Sequence, residues 1–330
     1  MTRIDLVTGI LGSGKTTWIK KYASYFIEKG QRIAILENDF GAVNVDMMLL
    51  QELAGPKCHL EMVLGGGDPD CHRRRFKSKL IALGMQGFDR VIVEPSGIFD
   101  VDEFLDLLQE DPLDRWFELR TILTLVDSDL EESLSTEMEF LLASQVANSG
   151  KLVMSKIDQL KQEGLKEEEI KERVNHTLAH INQSLESIKC SRRITKKTLF
   201  CKDWNLLTGE DLEGLSQAGY QLYAYEKNWS LEGASSSTHY FLHVSMKEEQ
   251  LKGLLQEMRS DSSCGKIFRV KGFFKGETGW VEVNATRKKT EIHKINQGQE
   301  IFIVIGEGLN KEALDRKFQT VNTNDQYESI

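Results

Sequence analysis

The sequence predicts an α/β chain: a parallel sheet flanked by helices, followed by a smaller α+β domain. Three observations predict it. Short apolar runs alternate with helical patterns through the first half, one glycine-rich loop joins the first run to the first helix, and composition turns to Ser and Gly between Asn228 and Thr238. Taken in order, Ile4 to Val7 reads as a strand, Thr16 to Glu28 as a helix and Arg32 to Leu36 as a strand. Further strands follow at Arg90 to Val93, Thr121 to Val126 and Leu152 to Met154, and a polar helix at Leu165 to Ile188. Strands alternating with helices need crossovers, and crossovers make neighbouring strands parallel. After the Ser/Gly stretch come a strand (Tyr240 to Ser245), a helix (Lys247 to Met258), strands near Ile267 to Phe274, Gly279 to Asn284 and Ile301 to Ile305, and a helix (Lys311 to Phe318). These close turns favour a mostly antiparallel sheet. The expected division is a first domain over 1–226, a linker over 227–238, an α+β domain over 239–318 and a flexible tail over 319–330.

Length and composition agree. At roughly 150 residues per domain, 330 residues hold about two, and 40% hydrophobic with 28% charged residues and 4 Pro describes a globular chain. The longest apolar run, Ile301 to Ile305, is far below the roughly 20 residues of a membrane span. With a glycine-rich loop from Gly9 where a secretory signal would carry its apolar stretch, a cytoplasmic location is expected. A net charge of −9 argues against a general nucleic-acid binder. That charge is uneven: Asp100 to Leu142 is strongly acidic, whereas Lys266 to Lys294 is basic. The segments read either as solvated faces or as an interdomain or self-association contact, which leaves a homo-oligomer open. Five cysteines without a C-x-x-C pair imply reduced thiols.

Gly9-Ile10-Leu11-Gly12-Ser13-Gly14-Lys15-Thr16 matches G-x-x-x-x-G-K-[ST], between a strand and a helix. In that context backbone N–H groups and the helix N-terminus converge where a polyphosphate can sit, and the fold class becomes that of a P-loop NTPase. Gly9, Gly12, Ser13 and Gly14 form the cradle, with glycine needed where a Cβ would block close backbone approach. Lys15 would neutralise β- and γ-phosphates, the Thr16 hydroxyl would ligate Mg²⁺, and Thr17 would reach the α-phosphate.

Ligands in a parallel sheet bind beyond the carboxyl ends of the strands, so each strand end can be read for chemistry. The second strand leaves through Glu37-Asn38-Asp39-Phe40-Gly41. The next leaves through Glu94-Pro95-Ser96-Gly97, where Glu94 can hold Mg²⁺ hydration or orient water and the Gly97 N–H can sense the γ-phosphate; a helix-capping Glu94 is the plainer reading. Asp127 reads as structural. In Ser155-Lys156-Ile157-Asp158, an aspartate can accept from guanine N1–H and the 2-amino group while the Lys156 stem packs over the base.

Together with Gly265-Lys266-Ile267-Phe268-Arg269-Val270-Lys271-Gly272, these motifs resemble the CobW-type GTPases, the class that also holds the nickel-insertion GTPases of hydrogenase and urease maturation. The resemblance spans nearly the whole chain. It implies a P-loop GTPase domain with catalytic Lys15, Thr16 and Glu94, GTP/GDP and Mg²⁺ as ligands, a C-terminal module that meets a client metalloprotein, and a metallochaperone role without nucleic-acid or membrane partners. Two departures stand out. Ser155 takes the place of the family's usual Asn, which puts selectivity for GTP over ATP in question. Gly67-Asp68-Pro69-Asp70-Cys71-His72 stands where the family carries Gly-Cys-x-Cys-Cys.

Asp68, Asp70, Cys71 and His72, with Glu37 and His59 as further ligands, would make a harder metal site than three thiolates, one suited to Co²⁺, Ni²⁺ or Fe²⁺ more than Zn²⁺. Asp68 before Pro69 equally makes a helix cap without any metal. Arg73 to Arg75 would extend along this helix, solvated or touching a client. His176 and His180 read as a solvated helix face, His239 and His243 as one face of a strand, and Trp204, Trp229 and Trp280 as scattered. Two other readings stay beside the main one: a P-loop small-molecule kinase, and a nucleotide-gated accessory protein that carries no metal itself.

Overall fold

The computed structural model describes residues 1–10, 12–39, 46–64, 69–95, 101–130, 134–226, 236–276, 279–286, 289–295 and 298–329. Two compact units divide the chain, Met1–Trp229 and Ser230–Ile330.

The first unit is built on β1 (Thr2–Thr8), β2 (Ile33–Asp39), β3 (Cys58–Leu64), β4 (Arg90–Pro95), β5 (Phe117–Asp127), β6 (Lys151–Ser155) and β7 (Leu199–Phe200), in the order β3-β2-β4-β1-β5-β6-β7. Every pairing is parallel. Helices α1 (Lys15–Glu28), α2 (Asp46–Leu50), α3 (Pro69–Gln86), α4 (Val101–Leu108), α5 (Leu113–Trp116), α6 (Thr136–Ala147), α7 (Ile157–Gln162), α8 (Glu167–Ser187) and α9 (Gly209–Ser216) lie between the strands and after them. Strand alternation sorts the two faces. Ile4 and Leu6 of β1 pack with Phe76, Leu80 and Phe104 of α3 and α4, whereas Val7 packs with Trp18, Tyr22 and Phe26 of α1. Those three α1 residues recur every four positions and are fully buried, each contributing roughly 1.5–3 kcal/mol.

Asp5 shares the face that packs on α1. It is fully buried and ion-paired with Arg90, and the Tyr22 hydroxyl donates to it at 2.8 Å. The Arg90 guanidinium lies 4.0 Å from the Phe26 ring centre. Burial raises the Asp5 pKa, and Arg90 pulls it partly back.

The second unit holds β8 (Ser236–Leu242), β9 (Lys266–Gly276), β10 (Gly279–Thr286), β11 (Thr290–Ile295), β12 (Ile301–Glu307) and β13 (Glu328–Ser329), paired antiparallel in the order β11-β10-β9-β12-β8-β13. Helices α10 (Glu248–Ser260) and α11 (Lys311–Val321) cover the core of Phe241, Leu254, Phe274, Phe302 and Phe318. The Phe241 and Phe318 rings stack 4.3 Å apart.

Several expectations need correction. Strands β3, β7, β11 and β13 were not foreseen, and β5 begins at Phe117 rather than Thr121. Of the expected flexible tail, residues 319–321 complete α11 and residues 328–329 return as β13 beside β8, with the Tyr327 hydroxyl on Asp315. The expected linker falls mostly on residues 227–235, outside the described residues. His180 is not solvated: it is buried, with Nε2 2.5 Å from Glu139 Oε1. His243 lies past the end of β8 with a left-handed φ of 55°, so it shares no strand face with His239. Among the described residues no helix is long and apolar enough to cross a membrane.

Candidate functional site

β1 ends at Thr8, and the chain reaches α1 through a loop that only glycine can build. At Gly9, with φ 147°, a Cβ would lie 2.4 Å from Ser13 Oγ and 2.6 Å from the Leu125 carbonyl oxygen. Gly14 takes φ 91° as the α1 N-cap, a left-handed conformation costly for other residues. Lys15 folds back over this loop and donates from Nζ to the Gly9 carbonyl at 3.0 Å. Ser13 Oγ is buried and has no hydrogen-bond partner among the described residues. A tight loop with an inward ammonium and an unmet hydroxyl is a cradle suited to an anion. Leu11 lies outside the described residues, and Thr17 stands exposed on the first turn of α1.

The sheet order brings a second strand end to this loop. β4 lies between β2 and β1, and the β2–β4 register sets Glu37 opposite Glu94 and Asn38 opposite Pro95. Glu37 and Glu94 are each 3% exposed. The Thr16 hydroxyl donates to Glu94 Oε1 at 2.9 Å, which ties the end of β4 to the phosphate loop. Asn38 is buried, and its Oδ1 has no hydrogen-bond partner among the described residues. One hydroxyl and two buried carboxylates beside the anion cradle form an all-oxygen set of the kind Mg²⁺ prefers. Phe40, Gly41 and Gly97 lie outside the described residues, as does the side chain of Asp39.

On the other side, β6 delivers the expected base-reading segment. Ser155 is buried and donates from Oγ to the Val126 carbonyl at 3.2 Å. Lys156 holds a left-handed φ of 61° as the α7 N-cap, and its Nζ lies 2.5 Å from Asp127 Oδ2. Asp127, read as structural, therefore holds the lysine expected over the base. Asp158 stands half-exposed in the first turn of α7. Trp204, expected only as one of three scattered tryptophans, also packs against the phosphate loop. It is nearly buried, donates from Nε1 to the Met154 carbonyl at 3.0 Å, and packs so close to Gly14 that a Cβ there would come within 3.3 Å of its ring. These partners are far from Trp204 in sequence, and no local pattern marks it.

The expected metal segment comes together only in part. Asp68 lies outside the described residues, as does the side chain of Asp70. Cys71 and His72 both lie within α3, where consecutive side chains point about 100° apart. His72 is buried on the face that carries Phe76, Leu80 and Leu83, while Cys71 is half-exposed. His59 sits at the opposite end of the sheet: it pairs in register with Ala34, three residues before Glu37, and its ring stacks on Phe88 at 5.8 Å. Among the described residues no three His, Cys, Asp or Glu side chains converge to hold a metal ion. Arg73 is tied to Glu110 at 2.6 Å, and Lys77 reaches the same carboxylate at 2.5 Å; both hold the Glu110 pKa low, Lys77 foremost.

Residues 3–185, more than half the chain, match the family model of the CobW/HypB/UreG nucleotide-binding domain, and residues 235–322 match that of the cobalamin synthesis protein CobW C-terminal domain. The zinc chaperone YeiR of Escherichia coli is 34% identical over 162 residues, covering 48% of this chain and 47% of that protein. The zinc chaperone YjiA of the same organism is 28% identical over 165 residues, covering 47% and 49%. The chain thus spans about half the length of the curated relatives it matches. A crystal structure of the Zn(II)-bound YjiA GTPase aligns over 98% of this chain and 99% of its own at 15% identity, with a TM-score of 0.36, a likeness too loose to bear on function.

Proposed function

The chain belongs to the CobW/HypB/UreG family of nucleotide-binding proteins, and from that premise we propose that it is a Mg²⁺-dependent GTPase whose cycle delivers a transition-metal ion to a client metalloprotein. The observation that carries the hydrolytic part is the junction of three strand ends: Thr16 on Glu94 at 2.9 Å, Glu37 in register beside it, and Lys15 over the loop. The Lys15 ammonium would exchange the Gly9 carbonyl for β- and γ-phosphate oxygens, whose charge binds it more strongly. Glu94, held by Thr16, would orient the attacking water and accept its proton. Thr16, Glu94 and Glu37 would hold Mg²⁺, which when bound neutralises charge on the phosphates. Asp158 would select guanine, with Lys156 positioned by Asp127.

Two relatives named zinc chaperones support zinc as the ion delivered. A second reading keeps its place because Cys71 and His72 diverge on α3: a nucleotide-gated accessory protein that carries no metal itself. One calorimetric series tests both parts. Wild type should bind GTP with Mg²⁺, and Lys15→Ala should lose most of that affinity; unchanged affinity in a folded variant would overturn the nucleotide assignment. Zinc titrated with and without GTP should show reciprocal coupling, each ligand changing the other's affinity by the same factor. Zinc affinity indifferent to GTP would favour the accessory reading.

A further inference from the structure

Trp204 opens a 3-10 turn, 204–206, capped by Asp203, whose side chain accepts from the Asn205 N–H at 2.9 Å. Three contacts fix this turn to different parts of the nucleotide site. Its indole ring lies against Gly14 of the phosphate loop: a Cβ at Gly14 would be 3.3 Å from Cη2 and 3.5 Å from Cζ3. The indole N–H donates to the Met154 carbonyl at 3.0 Å, immediately before Ser155. Asp203 pairs with Lys161 at 3.3 Å on α7, the helix whose first turn carries Asp158. Trp18 of α1 backs the ring, with centroids 5.0 Å apart. Ser155 donates its hydroxyl to Val126, within the neighbouring strand β5.

We propose that Trp204 is a positioning residue of the nucleotide site, the indole that holds the phosphate loop and the base-reading segment Met154–Asp158 in one register. The proposal rests on the GTP-binding reading above. A planar ring packed on Gly14, with its one polar atom bonded to the strand end that leads to Asp158, ties the two halves of the site together. A tryptophan that merely filled space would stabilise the fold and leave the discrimination between bases untouched.

Two replacements separate the two contacts. 3-Benzothienylalanine in place of Trp204 keeps the bicyclic ring, with the atoms that lie on Gly14, and removes only the N–H; Trp204→Ala removes both. Binding of GTP, ATP and Mg²⁺–tripolyphosphate, the last a probe of the phosphate loop alone, is measured by calorimetry on the full chain beside its thermal unfolding. Loss of one neutral hydrogen bond in the benzothienyl variant should weaken GTP binding roughly threefold to tenfold and narrow the GTP-to-ATP ratio by a like factor, with tripolyphosphate bound as in wild type. Trp204→Ala should weaken GTP further and tripolyphosphate as well. Equal losses for GTP, ATP and tripolyphosphate in the benzothienyl variant, or wild-type values for all three, would overturn the proposal. If Trp204→Ala does not fold, the benzothienyl variant decides alone. A wild type that binds tripolyphosphate but shows no preference for GTP over ATP would instead remove the guanine reading, and the positioning role with it.

Discussion

Replacing Glu94 by Gln should move stability and catalysis in opposite directions. Glu94 and Glu37 are both buried, and their strands hold them directly opposite one another. Adjacent strands lie about 4.8 Å apart. Two unit charges at about 5 Å in an effective dielectric near 20 repel by about 3 kcal/mol. Lys15, carried by the adjoining loop, offsets part of this, so removing one charge should raise the stability of the nucleotide-free protein by about 1–2 kcal/mol. The amide oxygen of Gln can still accept from Thr16, so local packing is kept. Turnover should fall about a hundredfold or more, because a neutral amide neither takes a proton nor polarises water as a carboxylate does. Denaturant unfolding in chelator and GTP turnover with Mg²⁺ give the two readings. A less stable Glu94→Gln would show that the carboxylates form a satisfied structural pair. Wild-type turnover would place the catalytic base elsewhere.

Asp158→Asn should exchange guanine preference for xanthine, since an amide donates to the 2-oxo group where the carboxylate accepted from the 2-amino group; competition of GTP, XTP and ATP against a fluorescent analogue reads this, and an unchanged order would move base recognition away from Asp158. Arg90→Ala should cost roughly 3–5 kcal/mol, because it leaves the Asp5 carboxylate buried without its cation. The Asp5 pKa is already raised by burial, and losing Arg90 removes the strongest influence that lowers it. A raised carboxyl pKa favours the protonated form, so the stability it contributes is complete below the ordinary value near about 4 and is lost as pH rises through the folded value. The deficit of Arg90→Ala in chemical denaturation should therefore be smaller at pH 5 than at pH 8, and a deficit independent of pH would refute this account.

What the sequence made legible was local. The phosphate loop could be read because strand, glycines, Lys15 and Thr16 are contiguous, and α1 because its apolar residues repeat with the helical period. β3 and β11 escaped notice because Cys58–Leu64 and Thr290–Ile295 mix polar with apolar residues, as edge strands do; both stand at the ends of their sheets. Glu37 and Glu94 could each be suspected from a strand end, but their opposition depends on β4 lying between β2 and β1, an order no local pattern encodes. His180 was misplaced for the same reason, since Glu139, which binds it, lies on another helix. Cys71 and His72 are adjacent in sequence, but on α3 their side chains point about 100° apart, and only His72 is buried.

The left-handed backbone of Lys156 has a practical consequence for anyone engineering this chain. A residue with a Cβ at φ 61° sits about 1–2 kcal/mol above a glycine there. Any stability screen will therefore nominate Lys156→Gly, or Asn, as an improvement. The same change would discard the ammonium that Asp127 holds 2.5 Å away. With Lys156 over the base as proposed above, a thermostabilised variant obtained by that route should bind GTP more weakly, and positions of this kind should be barred from such a screen before it begins.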